Sequence, residues 1–174
     1  MKRKLFIISD MYGFQNADWL EQYKSSLDTY FRTTYLDSSK LAGIECQELN
    51  TDQLHSRFVH FGISQAVDKL KTLETGKVDI LAFSIGGTIA WKAALGGLDV
   101  KRLFIVSATR LRYETEKPNC TIHLFYGEKD PYNPPNSWFK KNGLKPEIIS
   151  EGGHEIYKNE AVITILCERL KSLV

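Results

Sequence analysis

The chain has 174 residues, 43% of them apolar and 25% charged, and its 23 basic and 21 acidic side chains leave a formal net charge of +2. That length predicts one domain spanning residues 1–174, with a core that needs neither disulfide nor metal staples; basic residues interleaved with acids exclude a stripe for a nucleic-acid backbone, and no apolar run reaches the ~18 residues of a membrane span. The apolar stretch 5–8 behind Met1-Lys-Arg-Lys is too short for a signal h-region, and Cys46, Cys120 and Cys167 stand at wide, unpatterned spacing that suits reduced structural thiols, so a cytoplasmic protein is expected.

In chain order, short apolar runs alternate with helical patterns. Residues 5–8 read as a buried strand. Trp19, Leu20, Tyr23, Leu27 and Phe31 then share one face of a helix that Asp18 and Glu21 would start with a capping box. Residues 33–36 are β-rich. Residues 64–75 read as a helix with Val67, Leu70 and Leu73 inward and Gly76 as its stop. A strand over 78–83 and a helix over 85–95 follow, then strands over 102–106 and 121–126 and a weaker one over 147–149. The Pro-rich segment 130–136 reads as a loop. Asn159 caps a last helix with Val162, Ile165, Leu166, Leu170 and Leu173 inward. Strands joined by helical crossovers imply an α/β fold: a mostly parallel six-stranded sheet with helices on both faces. In such sheets ligands sit beyond the carboxyl ends of the strands.

The chemistry concentrates at those ends. In Ala82-Phe-Ser84-Ile-Gly86 a strand runs into Ser84 and a helix begins at once. A serine on so tight a turn projects from the sheet edge on strained backbone, and its neighbours two positions away must be small. The helix N-terminus behind it offers free N–H groups to a developing oxyanion. A hydroxyl becomes a nucleophile when an imidazole takes its proton, and that imidazole needs a carboxylate to fix its tautomer. Asp130, in Gly127-Glu-Lys-Asp-Pro, and His154, in Glu151-Gly-Gly-His, each follow a separate later strand. Glu128 is the alternative acid. His123 alternates with Ile122 and Leu124 and reads as a structural strand residue, while His55 and His60 are surface or cavity-wall residues without the third partner a metal needs. Asp10, Asp79 and Asp99 read as turn or cap residues, and Cys120 and Cys167 as core.

The small-x-Ser-x-small turn and the order Ser84, Asp130, His154 resemble the α/β-hydrolase superfamily, over nearly the whole chain. The resemblance implies strand order 2-1-3-4-5-6 and a small member without a lid, since 107–119 is too short to hold one. It makes Ser84, His154 and Asp130 a catalytic triad, with the N–H groups of Ile85 and Met11 as oxyanion donors. Ser9-Asp10 stands where the family usually has His-Gly, which puts a carboxylate near developing negative charge unless its side chain turns away or finds a donor. Tyr12, Phe14, Trp19 and Tyr132 are candidate walls of an apolar substrate pocket, with Tyr12 and Tyr132 foremost. Arg110, Arg112 and Lys117 are either a solvated charged loop or a meeting place for an acidic substrate group or an acyl-carrier protein.

The expected function is hydrolysis of a carboxylic ester or thioester through an acyl-enzyme on Ser84, with a small-molecule substrate and no cofactor or metal. Two other readings stay open. One is an esterase acting on carrier-linked methyl esters, of the kind used in biotin synthesis. The other is a hydrolase-like protein that binds a small acid without turning it over, a reading prompted by Ser9-Asp10.

Overall fold

The computed structural model describes residues 2–15, 17–74 and 76–173. Its strands are β1 (Arg3–Ile8), β2 (Phe31–Leu36), β3 (Val78–Phe83), β4 (Val100–Val106), β5 (Thr121–Gly127) and β6 (Glu147–Ile149). They form one six-stranded sheet in the order β2-β1-β3-β4-β5-β6, and every neighbouring pair is parallel. The helices are α1 (Leu20–Leu27), α2 (Ser38–Leu41), α3 (Thr51–Arg57), α4 (Ile63–Thr72), α5 (Ile85–Leu95), α6 (Asn136–Asn142) and α7 (Glu160–Lys171).

Side chains alternate across a strand, so each strand feeds two cores. Leu5, Ile7, Leu81, Phe83, Phe104, Val106 and Phe125 pack with α1 and α7 on one face. Phe6, Ile8, Ile80, Ala82, Leu103, Ile105 and Leu124 pack with α4, α5 and α6 on the other. All six residues of β3 are buried, because it lies mid-sheet with helices above and below. Among the described residues no helix is long and apolar enough to cross a membrane.

Several local expectations need correction. The first helix stops at Leu27, and Phe31 opens β2 as a core residue instead of closing the helical face. Asp18 and Glu21 form no capping box: the position before the helix is Trp19, and Glu21 instead meets Lys24. The helix expected over 64–75 ends at Thr72, so Leu73 is 45% exposed and Gly76 does not cap it; Thr75 lies outside the described residues. Upstream, that helix is the second half of a longer rod. Asn50 and Gln53 form a reciprocal capping box that starts α3, and a π-helical turn, Phe58–Gly62, carries the chain into α4. The Pro-rich loop ends at Pro135, which leads directly into α6, and Gly143 stops that helix in the left-handed conformation at φ 62°. In α7 the inward face runs through Val162, Ile163, Leu166, Cys167 and Leu170, which leaves Ile165 exposed. Asn159 caps α7 as expected, accepting from the N–H groups of Ala161 and Val162.

Asp79 is neither a turn nor a cap residue. It lies on β3, at the edge remote from Ser84, and receives Arg102 of β4 in a bidentate pair, Nε–Oδ1 2.9 Å and Nη2–Oδ2 2.6 Å. Both side chains are buried. Removing one partner strands a charge in the interior, so Asp79→Ala is expected to cost about 3–5 kcal/mol in urea unfolding. A cost within experimental error would show that water reaches Arg102.

Candidate active site

The site grows from the carboxyl ends of β3, β5 and β6. Ser84 follows β3 at φ 51°, ψ −122°, and α5 begins at the next residue. A side chain at positive φ is strained, and the buried surroundings hold it there. Gly86 is what allows the turn: a Cβ on it would stand 2.3 Å from the Ser9 carbonyl oxygen and 3.0 Å from the Ile8 side chain. The first turn of α5 therefore lies directly against the end of β1. Ala82, the residue two before the serine, is fully buried, so its methyl is accommodated in the core.

The other two loops are stitched to each other. Glu128 and Lys129 donate their N–H groups to the carbonyls of Ile149 and Gly152, at 2.9 and 2.8 Å. Any Cβ on Gly127 would fall 2.2 Å from the Gly153 carbonyl oxygen, so these backbones pack without a side chain between them. The result is a continuous relay. Ser84 Oγ lies 2.9 Å from His154 Nε2, and His154 Nδ1 lies 3.0 Å from Asp130 Oδ2. The Asp130 carboxyl is fully buried and accepts the Tyr132 N–H on its other oxygen at 2.9 Å. Glu128 does not approach His154: its exposed carboxylate accepts from Ser150 and the Glu151 N–H, and the latter bond holds its pKa below the ordinary carboxylate value.

Ser84 and His154 open into a cavity of about 410 Å³ whose walls include Met11, Tyr12, Ile85 and Tyr132. This is a size that suits a small ligand. Ile85 is the first residue of α5, so its N–H has no partner within the helix. The Met11 N–H meets no acceptor among the described residues. The Tyr132 ring packs edge-on against His154, centroids 5.0 Å apart, and the Tyr12 hydroxyl lies 3.0 Å from Thr51 Oγ1. Phe14 and Trp19 do not line this cavity. They belong to an aromatic cluster with Tyr23, Phe83 and Tyr157 on the α1/α7 face.

Asp10 also lines the cavity, and it does find donors. Its carboxylate accepts the Tyr12 N–H and the Tyr157 hydroxyl, each at 3.0 Å. Burial pushes its pKa above the ordinary value; the Tyr157 hydrogen bond, Lys158 and the Tyr12 N–H draw it part of the way back. The folded state thus holds this proton more tightly than the unfolded chain. The resulting stabilisation is complete below the unfolded pKa and is lost as pH rises through the folded one. Asp10→Asn is expected to flatten the fall in stability from acid toward neutral pH, read as urea midpoints at a series of pH values. An unchanged slope would place the titration elsewhere.

The remaining candidates sort clearly. His123 stacks on Phe104 at 4.3 Å, and burial lowers its pKa, as a structural strand residue would show. His55 is on the cavity wall, while His60 is exposed and bonded to Ser56. Lys117 turns away to the Asn142 carbonyl at the end of α6, but Arg110 and Arg112 line the cavity. Cys120 and Cys167 are free thiols with pKa values pushed up to about 11 by burial. Phe58 of the π turn and Tyr157 are cavity residues that the sequence reading missed. The capping signature Asn50-Thr-Asp-Gln53 would have located α3 and hence the wall that Thr51, His55 and Phe58 share.

The architecture is that of the α/β-hydrolases. The chain is similar to a CIB-like hydrolase from Thermoplasma acidophilum, at 17% identity and TM-score 0.69, over 98% of this chain and 86% of the other. A hydrolase of the alpha/beta superfamily from Xanthomonas campestris matches at 14% identity and TM-score 0.69, over 98% and 99%. A dienelactone hydrolase-like promiscuous phosphotriesterase from metagenomic libraries matches at 13% identity and TM-score 0.71, over 99% and 87%. At these identities the likeness defines the fold. The sequence matches no family model and no curated protein.

Proposed function

We propose that the protein is a serine hydrolase that cleaves a carboxylic ester or thioester. The observation that carries this reading is the unbroken hydrogen-bonded relay from Ser84 through His154 to a buried Asp130, set on a strained strand-to-helix turn at the wall of a cavity. Ser84 Oγ attacks the acyl carbonyl while His154 Nε2 takes its proton. Asp130 holds the imidazole in the tautomer whose Nε2 is free to accept. The N–H groups of Ile85 and Met11 receive the negative oxygen of the tetrahedral intermediate, with the N-terminal end of α5 directed at it. Collapse breaks the bond to the alcohol or thiol, which leaves with the proton held by His154. Water then adds to the acyl-enzyme with His154 as base, and the acid departs from Ser84.

Asp10 is compatible with this chemistry because both of its oxygens are engaged, one by the Tyr12 N–H and one by the Tyr157 hydroxyl. The test is a fluorophosphonate probe followed by peptide mass spectrometry, on the native chain and on Ser84→Ala and His154→Ala. Labelling of Ser84 in the native chain, abolished by both substitutions, supports the reading. A folded native protein that takes no label would leave the cavity as a binding site without turnover.

A further inference from the structure

Arg110 and Arg112 stand on the same cavity wall as Ser84 and His154, and among the described residues no carboxylate lies within salt-bridge distance of either. Arg112 is not a loosely solvated side chain. Its Nη1 donates to the carbonyls of Thr109 and Tyr132, each at 3.1 Å, and its guanidinium lies over the rings of Tyr113 and Tyr132 at 4.9 and 5.7 Å. The Tyr132 ring in turn packs on His154. The fold therefore fixes a positive charge one aromatic ring away from the reacting centre. Arg110 lies over Tyr113 as well, at 4.8 Å, and its side chain makes no hydrogen bond among the described residues.

The cavity's own carboxylates do not answer these charges. Asp10 is held by Tyr12 and Tyr157, Glu155 pairs with Lys158, and Asp52, on the α3 wall of the same cavity, forms no ion pair with either arginine among the described residues. A hydrogen bond from Arg112, and then the charges of Arg112 and Arg110, hold the pKa of the exposed Tyr113 hydroxyl below the usual phenol value. A guanidinium has five N–H donors, and Nη1 alone serves the two carbonyls. A pre-ordered, stacked guanidinium with donors to spare is what bidentate recognition of a carboxylate or phosphate requires. Pre-ordering also spares the entropy of fixing the side chain on binding.

We propose that Arg110 and Arg112 form a subsite for an anionic group, so that the substrate is an ester carrying a carboxylate or phosphate on the part of the molecule that Ser84 does not attack. This deepens the hydrolase reading and rests on the same cavity. The experiment uses three methyl esters: monomethyl glutarate, methyl phosphonoacetate and the neutral methyl valerate. Calorimetric binding to Ser84→Ala protein measures recognition without turnover, and a pH-stat on the native protein measures hydrolysis.

Charged hydrogen bonds predict that one of the two anionic esters binds at least about tenfold more tightly than methyl valerate. Which of the two does so identifies the group as carboxylate or phosphate. Adding Arg110→Gln and Arg112→Gln should bring the anionic-to-neutral ratio to about one. Arg112 also braces two carbonyls, so Arg110→Gln alone, which removes no hydrogen bond of the fold, provides the variant to use if the double change unfolds. A partial fall of the ratio in that single variant supports the subsite. Equal binding of all three esters to Ser84→Ala protein overturns it, as does a preference that survives both arginine substitutions. Preferential binding without hydrolysis by the native protein would keep the subsite and overturn the hydrolase reading instead.

Discussion

Replacing Ser84 by alanine is expected to lower kcat/KM on an activated ester by about 10⁴- to 10⁶-fold, with His154→Ala falling in the same range because the two act as a unit. The magnitude follows from the geometry. With Oγ 2.9 Å from Nε2, the proposed mechanism makes proton removal and nucleophilic attack one coupled event, so that neither group retains much power alone. A loss of only a few-fold in either variant would mean that hydrolysis occurs elsewhere on the chain. The strained turn supplies an internal control. Alanine at φ 51° inherits the strain that serine bears, whereas glycine does not. Ser84→Gly should therefore be as inactive as Ser84→Ala and yet more stable by about 1–2 kcal/mol. Equal stability of the two variants would show that the turn at residue 84 carries no stored strain.

The same geometry explains what could be read from the sequence. The elements that build the relay are legible because each is local and strongly patterned. β3 is a short apolar run, α5 begins immediately after Ser84, and Gly127 at the end of β5 and Gly152 after β6 leave no room for a side chain. The strand order and the pairing of Ser84 with His154 and of His154 with Asp130 follow the expectation from the family resemblance. The cavity wall was less legible. Phe14 and Trp19 stand in a loop near the site, yet both pack, partly buried, on the α1/α7 core, because Tyr23, Phe83 and Tyr157 offer Trp19 aromatic faces there and Phe14 packs on Trp19 in turn. Asp10 reads as an obstacle to anion stabilisation, since nothing local to it in sequence shows that, beside the Tyr12 N–H, a tyrosine 147 positions away supplies a donor to its second oxygen. Arg110 and Arg112 follow the same logic. Their positions in a short charged connection suggest solvation, and only the fold reveals the Tyr132 ring that carries Arg112 to the side of His154.

Asp130→Asn is the change in which shape is kept and chemistry is lost. The backbone N–H of Tyr132 is a donor only, and it occupies Oδ1 of Asp130. An asparagine placed there must therefore present its amide oxygen to Tyr132 and its NH₂ to His154. That NH₂ donates to Nδ1, which forces the imidazole proton onto Nε2, where it points at Ser84 and blocks acceptance of the hydroxyl proton. The expected result is a fall in kcat of about 10⁴-fold with native-like packing, since Asn and Asp differ little in volume. Glu128→Gln, made beside it, should stay close to the unsubstituted rate, because Glu128 bonds to Ser150 and Glu151 and does not touch His154. The NMR tautomer of His154 separates the cause from simple misfolding: the native imidazole should carry its proton on Nδ1 and the Asp130→Asn imidazole on Nε2. An unshifted tautomer with lost activity would mean that Asp130 acts through its negative charge on the imidazolium, whereas a native rate in Asp130→Asn would remove it from the relay.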